Sequence, residues 1–351
     1  MSRQLIDIAG RKVGPGQPCF IIAEAGVNHN GSLELAHQLV DVAIQAGADA
    51  VKFQTFNAER LVSPDAPKAE YQKRTTDVAE SQYDMLRRLE LSPKMHLDLM
   101  AYCDERGILF MSSPFDEDSA DLLDSLGLAV FKIPSGEVTN LPFLAHVARK
   151  GKPMIVSTGM AYLSEVEAAV RTIEGTGNRE FILLHCVSNY PADPADVNLR
   201  AMGTMSAAFG VPVGYSDHTP GIEAPMAAVA LGACVIEKHL TLDRNLPGPD
   251  HRASLEPGEF TAMVRGIRIV EAALGHGRKD PASSEANTAS VARKSLVAAT
   301  DIPAGTVLTK QLIAIKRPGT GLPPVMLPYL IGRTLRIPVS AGQLLQLEMV
   351  H

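Results

Sequence analysis

Residues 211–240 read VPVGYSDHTPGIEAPMAAVALGACVIEKHL: two short apolar runs, each closing on a histidine, with an amphipathic stretch between them. The pattern predicts a strand, a helix and a second strand. Parallel strands joined by one helical crossover are normally neighbours, so His218 and His239, 21 positions apart, should meet at the carboxyl ends of adjacent strands. Ser216 and Glu237 each stand two residues before a histidine and share its strand face. Neutral imidazoles are common ligands for borderline divalent metals, so a convergent pair flanked by a carboxylate and a hydroxyl predicts a metal site. The plainer alternative is two loop histidines that only hydrogen-bond.

Outward from this unit the same pattern repeats. The runs CFIIAEA, AVKFQTF, ILFMSSP, LAVFKIPSG, PMIVSTG, FILLHCVSNY, VPVGYSD and CVIEKHL alternate with segments of helical period such as SLELAHQLVDVAIQAG and SPKMHLDLMAYCDERG. Ser32 and Ser164 are expected N-caps, and Gly47, Gly107 and Gly127 stand where helices should stop. Eight βα units over 250 or so residues predict an α/β protein with a (β/α)8 TIM barrel. An open doubly wound sheet is the runner-up, but no GxGxxG follows the first strand. The barrel is expected over 1–275, a Gly/Ser/Pro-rich linker over 276–290, and a small β-rich domain over 291–351. The long polar insertion 57–82 is a candidate substrate-covering loop.

Composition narrows the function. Of 351 residues 46% are hydrophobic and 21% charged, ordinary for a globular protein, and the net charge of −6 argues against a nucleic-acid binder. No apolar run has the length of a membrane span, and the start MSRQLIDIAGRKVG lacks the pattern of a secretory signal. Cys19, Cys103, Cys186 and Cys234 are scattered without a CxxC pair; three of them fall inside strand-like runs, where a buried thiol is expected. A cytoplasmic location follows as the expectation.

Barrel chemistry sits at the carboxyl ends of the strands. Those ends supply Glu24, Lys52, Gln54, Ser112, Ser113, Lys132, Ser135, Glu137, Ser157, Ser188, Tyr190, Ser216, His218, Glu237 and His239. Two lysines and several hydroxyls around one mouth suit a small dianion, since lysines neutralise phosphate and carboxylate while hydroxyls fill the remaining lone pairs. A lone strand lysine is usually a snorkelling surface residue; two inside an apolar barrel pattern reverse that expectation. No P-loop, HExxH or GxSxG is present. Either lysine is chemically able to form a Schiff base, but paired histidines favour metal-assisted carbon–carbon bond formation with a phosphorylated three-carbon acid.

The stretches IIAEAGVNHNGSLELA, GADAVKFQTF, SSPFDEDS, FKIPSGEVTNLPFL, IVSTGM, LLHCVSNYP, GYSDHTPG, IEKHLTLDRNLPGPDH and IKRPGTG run in order from Cys19 to Gly321. Together they make the chain resemble the sialic acid synthase family, the phosphoenolpyruvate-dependent nonulosonate synthases. The C-terminal domain resembles the antifreeze-like (SAF) domain that covers such barrels. The resemblance implies a transferase that joins phosphoenolpyruvate to the open-chain aldehyde of an N-acetylated mannose-type sugar and releases phosphate. It implies a divalent metal at His218 and His239, typically Mn2+ with Mg2+ or Co2+ as alternatives. Glu24 becomes the acid/base or positioning carboxylate, and Lys52, Ser113, Lys132, Ser135, Ser157, Ser188 and Ser216 the phosphoenolpyruvate cradle. Gln54, Glu137, Tyr190, Asp250 and Arg317 become sugar contacts. A domain-swapped homodimer is implied too, with Arg317 of one chain serving the sugar of the other. Ser113 stands where threonine is common in the family, and Ser188 where some members carry asparagine. AEAGVNHNG, GYSDHT and GPDHRASLEP look most like synthases of N,N'-diacetyllegionaminic acid; N-acetylneuraminate synthases follow, and pseudaminic acid synthases come third. The contrasting class is a catalytically dead barrel that binds a sugar phosphate, against which the retained histidines, lysines and Glu24 argue.

Overall fold

The computed structural model describes residues 4–63, 66–69, 72–73, 76 and 80–351. The chain divides into two compact units, Met1–Gly275 and His276–His351.

The first unit opens with an antiparallel hairpin, β1 (Ile6–Ile8) and β2 (Arg11–Val13), which the sequence pattern did not reveal. Ile6, Ile8 and Val13 pack with Phe20, Ile22, Ile155, Ile182 and Val235, closing the amino-terminal end of the sheet that follows. That sheet has eight strands among the described residues: β3 (Phe20–Gly26), β4 (Ala50–Thr55), β5 (Leu109–Pro114), β6 (Phe131–Ile133), β7 (Met154–Ser157), β8 (Phe181–Cys186), β9 (Val213–Asp217) and β10 (Val235–His239). Their order is β5-β4-β3-β10-β9-β8-β7-β6, all parallel. β5 and β6 lie side by side and complete the ring without a hydrogen-bonded ladder. The expected eight βα units and barrel are therefore present.

Nearly every strand residue is buried, because a parallel barrel covers one face with helices and the other with its own interior. Leu39, Val40 and Ala43 of the helix Leu33–Ala46, with Leu99 and Cys103 of Pro93–Arg106, belong to the continuous core between sheet and helices. Ser32 caps the first of these helices through the Leu35 N–H, and Gly47 and Gly107 end both in the left-handed conformation. Ser164 is not a cap. The helix Leu163–Gly175 starts one residue earlier, and Glu165 reaches back to the Tyr162 N–H at 2.7 Å, which moves the start signal to Tyr162.

Parts of the insertion 57–82 lie outside the described residues, namely 64–65, 70–71, 74–75 and 77–79. Its described parts include a short helix, Ala58–Leu61.

In the second unit, β11 (Ser295–Ala298) pairs with β12 (Ile313–Lys316), and isolated bridges such as Ile302–Val339 and Leu335–Val350 tie the remaining turns. Leu296, Ile302, Leu308, Leu330, Leu335, Val339 and Leu345 form its core. The segment expected as linker is not extended throughout. It carries a turn of 3-10 helix, Ser283–Glu285, and the helix Ala286–Ala292, started by Glu285 bonding back to the Ala282 N–H at 2.8 Å.

Candidate active site

β9 and β10 are adjacent, and their register sets Ser216 opposite Glu237. Alternation then turns Ser216 and His218, and Glu237 and His239, toward the barrel interior. The other strand ends turn their polar groups to the same place. Glu24, Lys52, Gln54, Ser113, Lys132, Ser135, Ser157, Ser188, Tyr190, Ser216, His218, Glu237, His239 and Asp250 all line one cavity of about 430 Å³. Adjacent serines on β5 part company. Ser113 accepts from Lys52 Nζ at 2.9 Å, while Ser112 faces the helices and bonds Thr55 at 2.6 Å.

Two sequence-expected residues are placed elsewhere. Glu137 does not line the cavity: after the three-residue β6 the chain turns into 3-10 helix Ser135–Glu137, and the carboxylate accepts from Asn140 at 2.7 Å. Arg317 belongs to the second unit, where its Nε donates to the Ala292 carbonyl at 3.1 Å.

The floor is a web of opposite charges. Lys52 Nζ lies 2.7 Å from Glu24 Oε2 and 3.6 Å from Glu237 Oε2, and Lys132 Nζ lies 3.1 Å from Glu237 Oε1. Ser216 donates to Glu237 at 2.8 Å, and Gln54 Nε2 donates to Glu24 Oε1 at 3.1 Å. The two carboxylates are not equivalent. Burial pushes both pKa values up, but the Lys132 and Lys52 ammoniums outweigh it at Glu237 and hold that group ionised. At Glu24 burial prevails over Lys52, with the Glu237 charge adding to it, so Glu24 takes up a proton well above the usual carboxylate range. Paired carboxylates pushed apart in this way are suited to one electrostatic and one proton-handling task.

Glu237 is the hub that ties both lysines, a role invisible without the strand register. Its only sequence signal is its place two residues before His239. Cys186 is a second surprise. It is buried and unpaired, as expected of a strand thiol, but it lines the cavity with Sγ 3.5 Å from Ser135 Oγ and 3.7 Å from Ser188 Oγ. Gly159 closes this corner. Its N–H donates to Ser135 Oγ at 3.0 Å, and a Cβ there would come within 2.2 Å of Ser188 Oγ and 2.8 Å of Ser135 Oγ.

The His218 and His239 ring centroids are 5.4 Å apart, with the Tyr190 ring 4.1 Å from the first and 5.5 Å from the second. His218 Nδ1 donates to the Val187 carbonyl at 2.7 Å; burial lowers the pKa of this ring, but Cys186, that carbonyl and Glu237 outweigh it and raise the value. His239 is held neutral by burial and by the neighbouring His218, and its Nδ1 is buried without a hydrogen-bond partner, 4.0 Å from Asp250 Oδ2. Two adjacent imidazoles, one oriented by a carbonyl and one with an orphaned nitrogen, fit a divalent cation, which takes the unprotonated form of each. Among the described residues no group of three or more His, Cys, Asp or Glu is placed to hold a metal ion.

The NeuB family model matches residues 39–279 and the SAF domain model residues 293–351. The chain is 49% identical to the N,N'-diacetyllegionaminic acid synthase of Legionella pneumophila over 342 residues, 96% of each chain. It is also 49% identical to the synthase of that name from Campylobacter jejuni over 316 residues, 90% of this chain and 95% of the relative. In structure it resembles the N-acetylneuraminic acid (sialic acid) synthetase of Leptospira borgpetersenii, solved with citrate, at a TM-score of 0.72 and 38% identity, covering 82% of this chain and 95% of that one. With the barrel, its C-terminal ring of lysines, serines and paired histidines and these two domain matches in hand, the chain belongs to the NeuB family and ends in a SAF domain.

Proposed function

We propose that this chain condenses phosphoenolpyruvate with the open-chain aldehyde of a 2,4-diacetamido-2,4,6-trideoxy mannose-type sugar, forming N,N'-diacetyllegionaminic acid and phosphate. The observation that carries the reading is one cavity holding two buried lysines, five serine hydroxyls, a raised-pKa carboxyl and a pair of adjacent imidazoles. N-acetylneuraminate and pseudaminic acid synthesis are the neighbouring alternatives.

In this reading Lys52 and Lys132 bind the phosphate and carboxylate, and Ser113, Ser135, Ser157, Ser188 and Ser216 complete their hydrogen bonds. Ser157 Oγ is buried without a partner, which suits a hydroxyl kept for a ligand. Gln54, Tyr190 and Asp250 contact the sugar chain. The third carbon of phosphoenolpyruvate attacks the aldehyde carbon, whose oxygen becomes a hydroxyl after taking a proton. Water adds to the second carbon, and phosphate leaves by carbon–oxygen cleavage. Glu24, beside Lys52 and Gln54, would hold or move a proton at the reacting carbons. Fixing both reactants in one cavity removes much of the entropic barrier. His218 and His239 would hold a divalent cation, Mn2+ by preference, which when bound supplies Lewis-acid polarisation of a carbonyl oxygen.

The finer readings are a cytoplasmic enzyme working as a domain-swapped homodimer, with Arg317 of the partner subunit meeting the N-acetyl group. No described helix is long and apolar enough to cross a membrane. Mixing inactive Arg317→Ala with inactive His218→Ala tests the swap: recovered activity supports it, and silence after subunit exchange removes it. The activity itself is tested by phosphate release from phosphoenolpyruvate with a panel of 2-acetamido hexoses. Release with none of them would leave only a sugar-phosphate binding barrel.

A further inference from the structure

Asn28 and Ser254, each 1% exposed, lie outside the cavity lining yet tie together two segments that form it. Asn28 stands in the turn that leaves β3, where its backbone N–H donates to the Ala25 carbonyl at 2.9 Å. From there its side-chain amide reaches the segments that carry His239 and Asp250. Nδ2 donates to the carbonyl of Leu240, the residue after His239, at 2.9 Å and to Ser254 Oγ at 2.9 Å. Ser254 Oγ in turn donates to the Asp250 carbonyl at 2.7 Å. That bond commits the hydroxyl proton, so toward Asn28 the oxygen can only accept, and both amide N–H groups are spent. Asn28 Oδ1 is buried without a hydrogen-bond partner, so the side chain serves this place through its donors.

Resting on the synthase reading, we propose that Asn28, with Ser254 as its relay, is a positioning residue that sets the spacing of His239 and Asp250. The Nδ1 and Oδ2 atoms of this imidazole and carboxylate lie 4.0 Å apart. The backbone joins their segments through one isolated parallel bridge, Leu240 to Leu255. In it the Leu255 N–H donates to the His239 carbonyl at 2.9 Å and the Thr241 N–H to the Leu255 carbonyl at 3.0 Å. A bridge this short is a hinge about which the Asp250 segment can swing. The Asn28 amide bonds both sides of the hinge from a third element, the turn after β3, and so fixes the angle. Without it the Leu240 carbonyl and the Ser254 hydroxyl each lose a donor in a buried place, and the segment must shift to replace them. Partners that orient a metal-holding imidazole in this indirect way are worth about ten- to a hundredfold in metal affinity.

The test titrates Mn2+ alone into the full-length protein by calorimetry and measures separate KM values for 2,4-diacetamido-2,4,6-trideoxymannose and phosphoenolpyruvate. Asn28→Ala should weaken Mn2+ binding by about tenfold or more and raise the sugar KM by a similar factor. The KM for phosphoenolpyruvate should move far less, because Lys52 and Lys132 stand on β4 and β6. Ser254→Ala cuts only the arm to Asp250, so it should raise the sugar KM while Mn2+ affinity stays close to native. A purely structural role would move both KM values together. If Asn28→Ala does not fold, the split in Ser254→Ala decides. Native Mn2+ affinity in folded Asn28→Ala, or both KM values rising together in Ser254→Ala, overturns the brace and leaves the synthase reading standing. A native chain that takes up no Mn2+ overturns the brace along with the metal site. Phosphate release with no sugar removes the synthase reading alone, because the Mn2+ titration needs no turnover.

Discussion

Two sets of buried charge lie back to back on β9 and β10. Asp217 and Lys238 face the helices, both 0% exposed, and their charges satisfy one another. Asp217 also accepts from the Tyr215 hydroxyl at 2.8 Å and the Thr219 N–H at 2.9 Å, and Lys238 donates to the Thr219 carbonyl. One residue along on each strand, Ser216, His218, Glu237 and His239 face the cavity, where Ser157 Oγ and His239 Nδ1 are left without hydrogen-bond partners. The outward set is closed and the inward set is open. A buried ion pair seldom stabilises more than a well-packed apolar pair would, so the outward set matters through direction: it pins Thr219 at both backbone groups, next to His218. The lesson is that buried charge becomes a candidate for chemistry when its own fold leaves it incompletely satisfied.

The largest expected effect breaks the open set. His239→Ala should cut turnover by about a thousandfold or more, because several kcal/mol of charge stabilisation depends on the imidazole pair, while the thermal midpoint holds. Full activity of this variant in excess chelator would remove the metal assignment. Next comes the direct contrast of two buried lysines. Lys238→Met strands Asp217 and should destabilise folding by about 3–5 kcal/mol. Lys132→Met leaves Glu237 with Lys52 as its remaining ammonium, so it should destabilise folding less and cost about that much in phosphoenolpyruvate affinity instead. Denaturant titration and ligand calorimetry on both proteins would show a crossover; equal losses of stability would erase the distinction.

Glu24→Gln keeps the shape and removes the titrating group. Turnover should fall about a hundredfold with a smaller change in the KM for phosphoenolpyruvate. A raised KM at unchanged turnover would make Glu24 an anion-site spacer rather than a proton carrier. The smallest effect concerns histidines outside the cavity. Burial presses His29 and His251 down to about 4, with His96 and His251 adding to the effect at His29. Their folded values lie below the ordinary 6.5. The folded protein therefore binds fewer protons than the unfolded chain, and this stability is whole above the ordinary value and drains away as pH falls toward 4. His29 alone should account for about 2 kcal/mol lost between pH 7 and pH 5. Urea unfolding at the two pH values would read it, and His29→Gln should flatten the slope.

The barrel was legible because parallel strands buried on both faces read as unbroken apolar runs, and their polar ends mark one rim. What escaped notice depended on phase or partner. Ser112 and Ser113 are equivalent on paper, and only the turn of β5 decides which meets Lys52. The hub role of Glu237 and the closure of Asp217 by Lys238 both need the β9–β10 register. Glu137 followed a three-residue strand that ends before the alternation reaches it. The hairpin Ile6–Val13 is too short for a period to show. Arg317 rests on resemblance alone, since a turn arginine before Pro318 carries no chemical signature of its own.

Gly159 offers a way to silence this protein without amputating anything. One added methyl at that position would fall 2.8 and 2.2 Å from the Ser135 and Ser188 hydroxyl oxygens, so both hydroxyls must turn away, while every lysine, carboxylate and imidazole keeps its identity. Gly159→Ala should therefore refuse the anion through lost room and two displaced hydroxyls, with both lysines, both carboxylates and both imidazoles retained. Such a protein separates volume from reactivity, and it is a cleaner silent reference than any variant that deletes a reactive group.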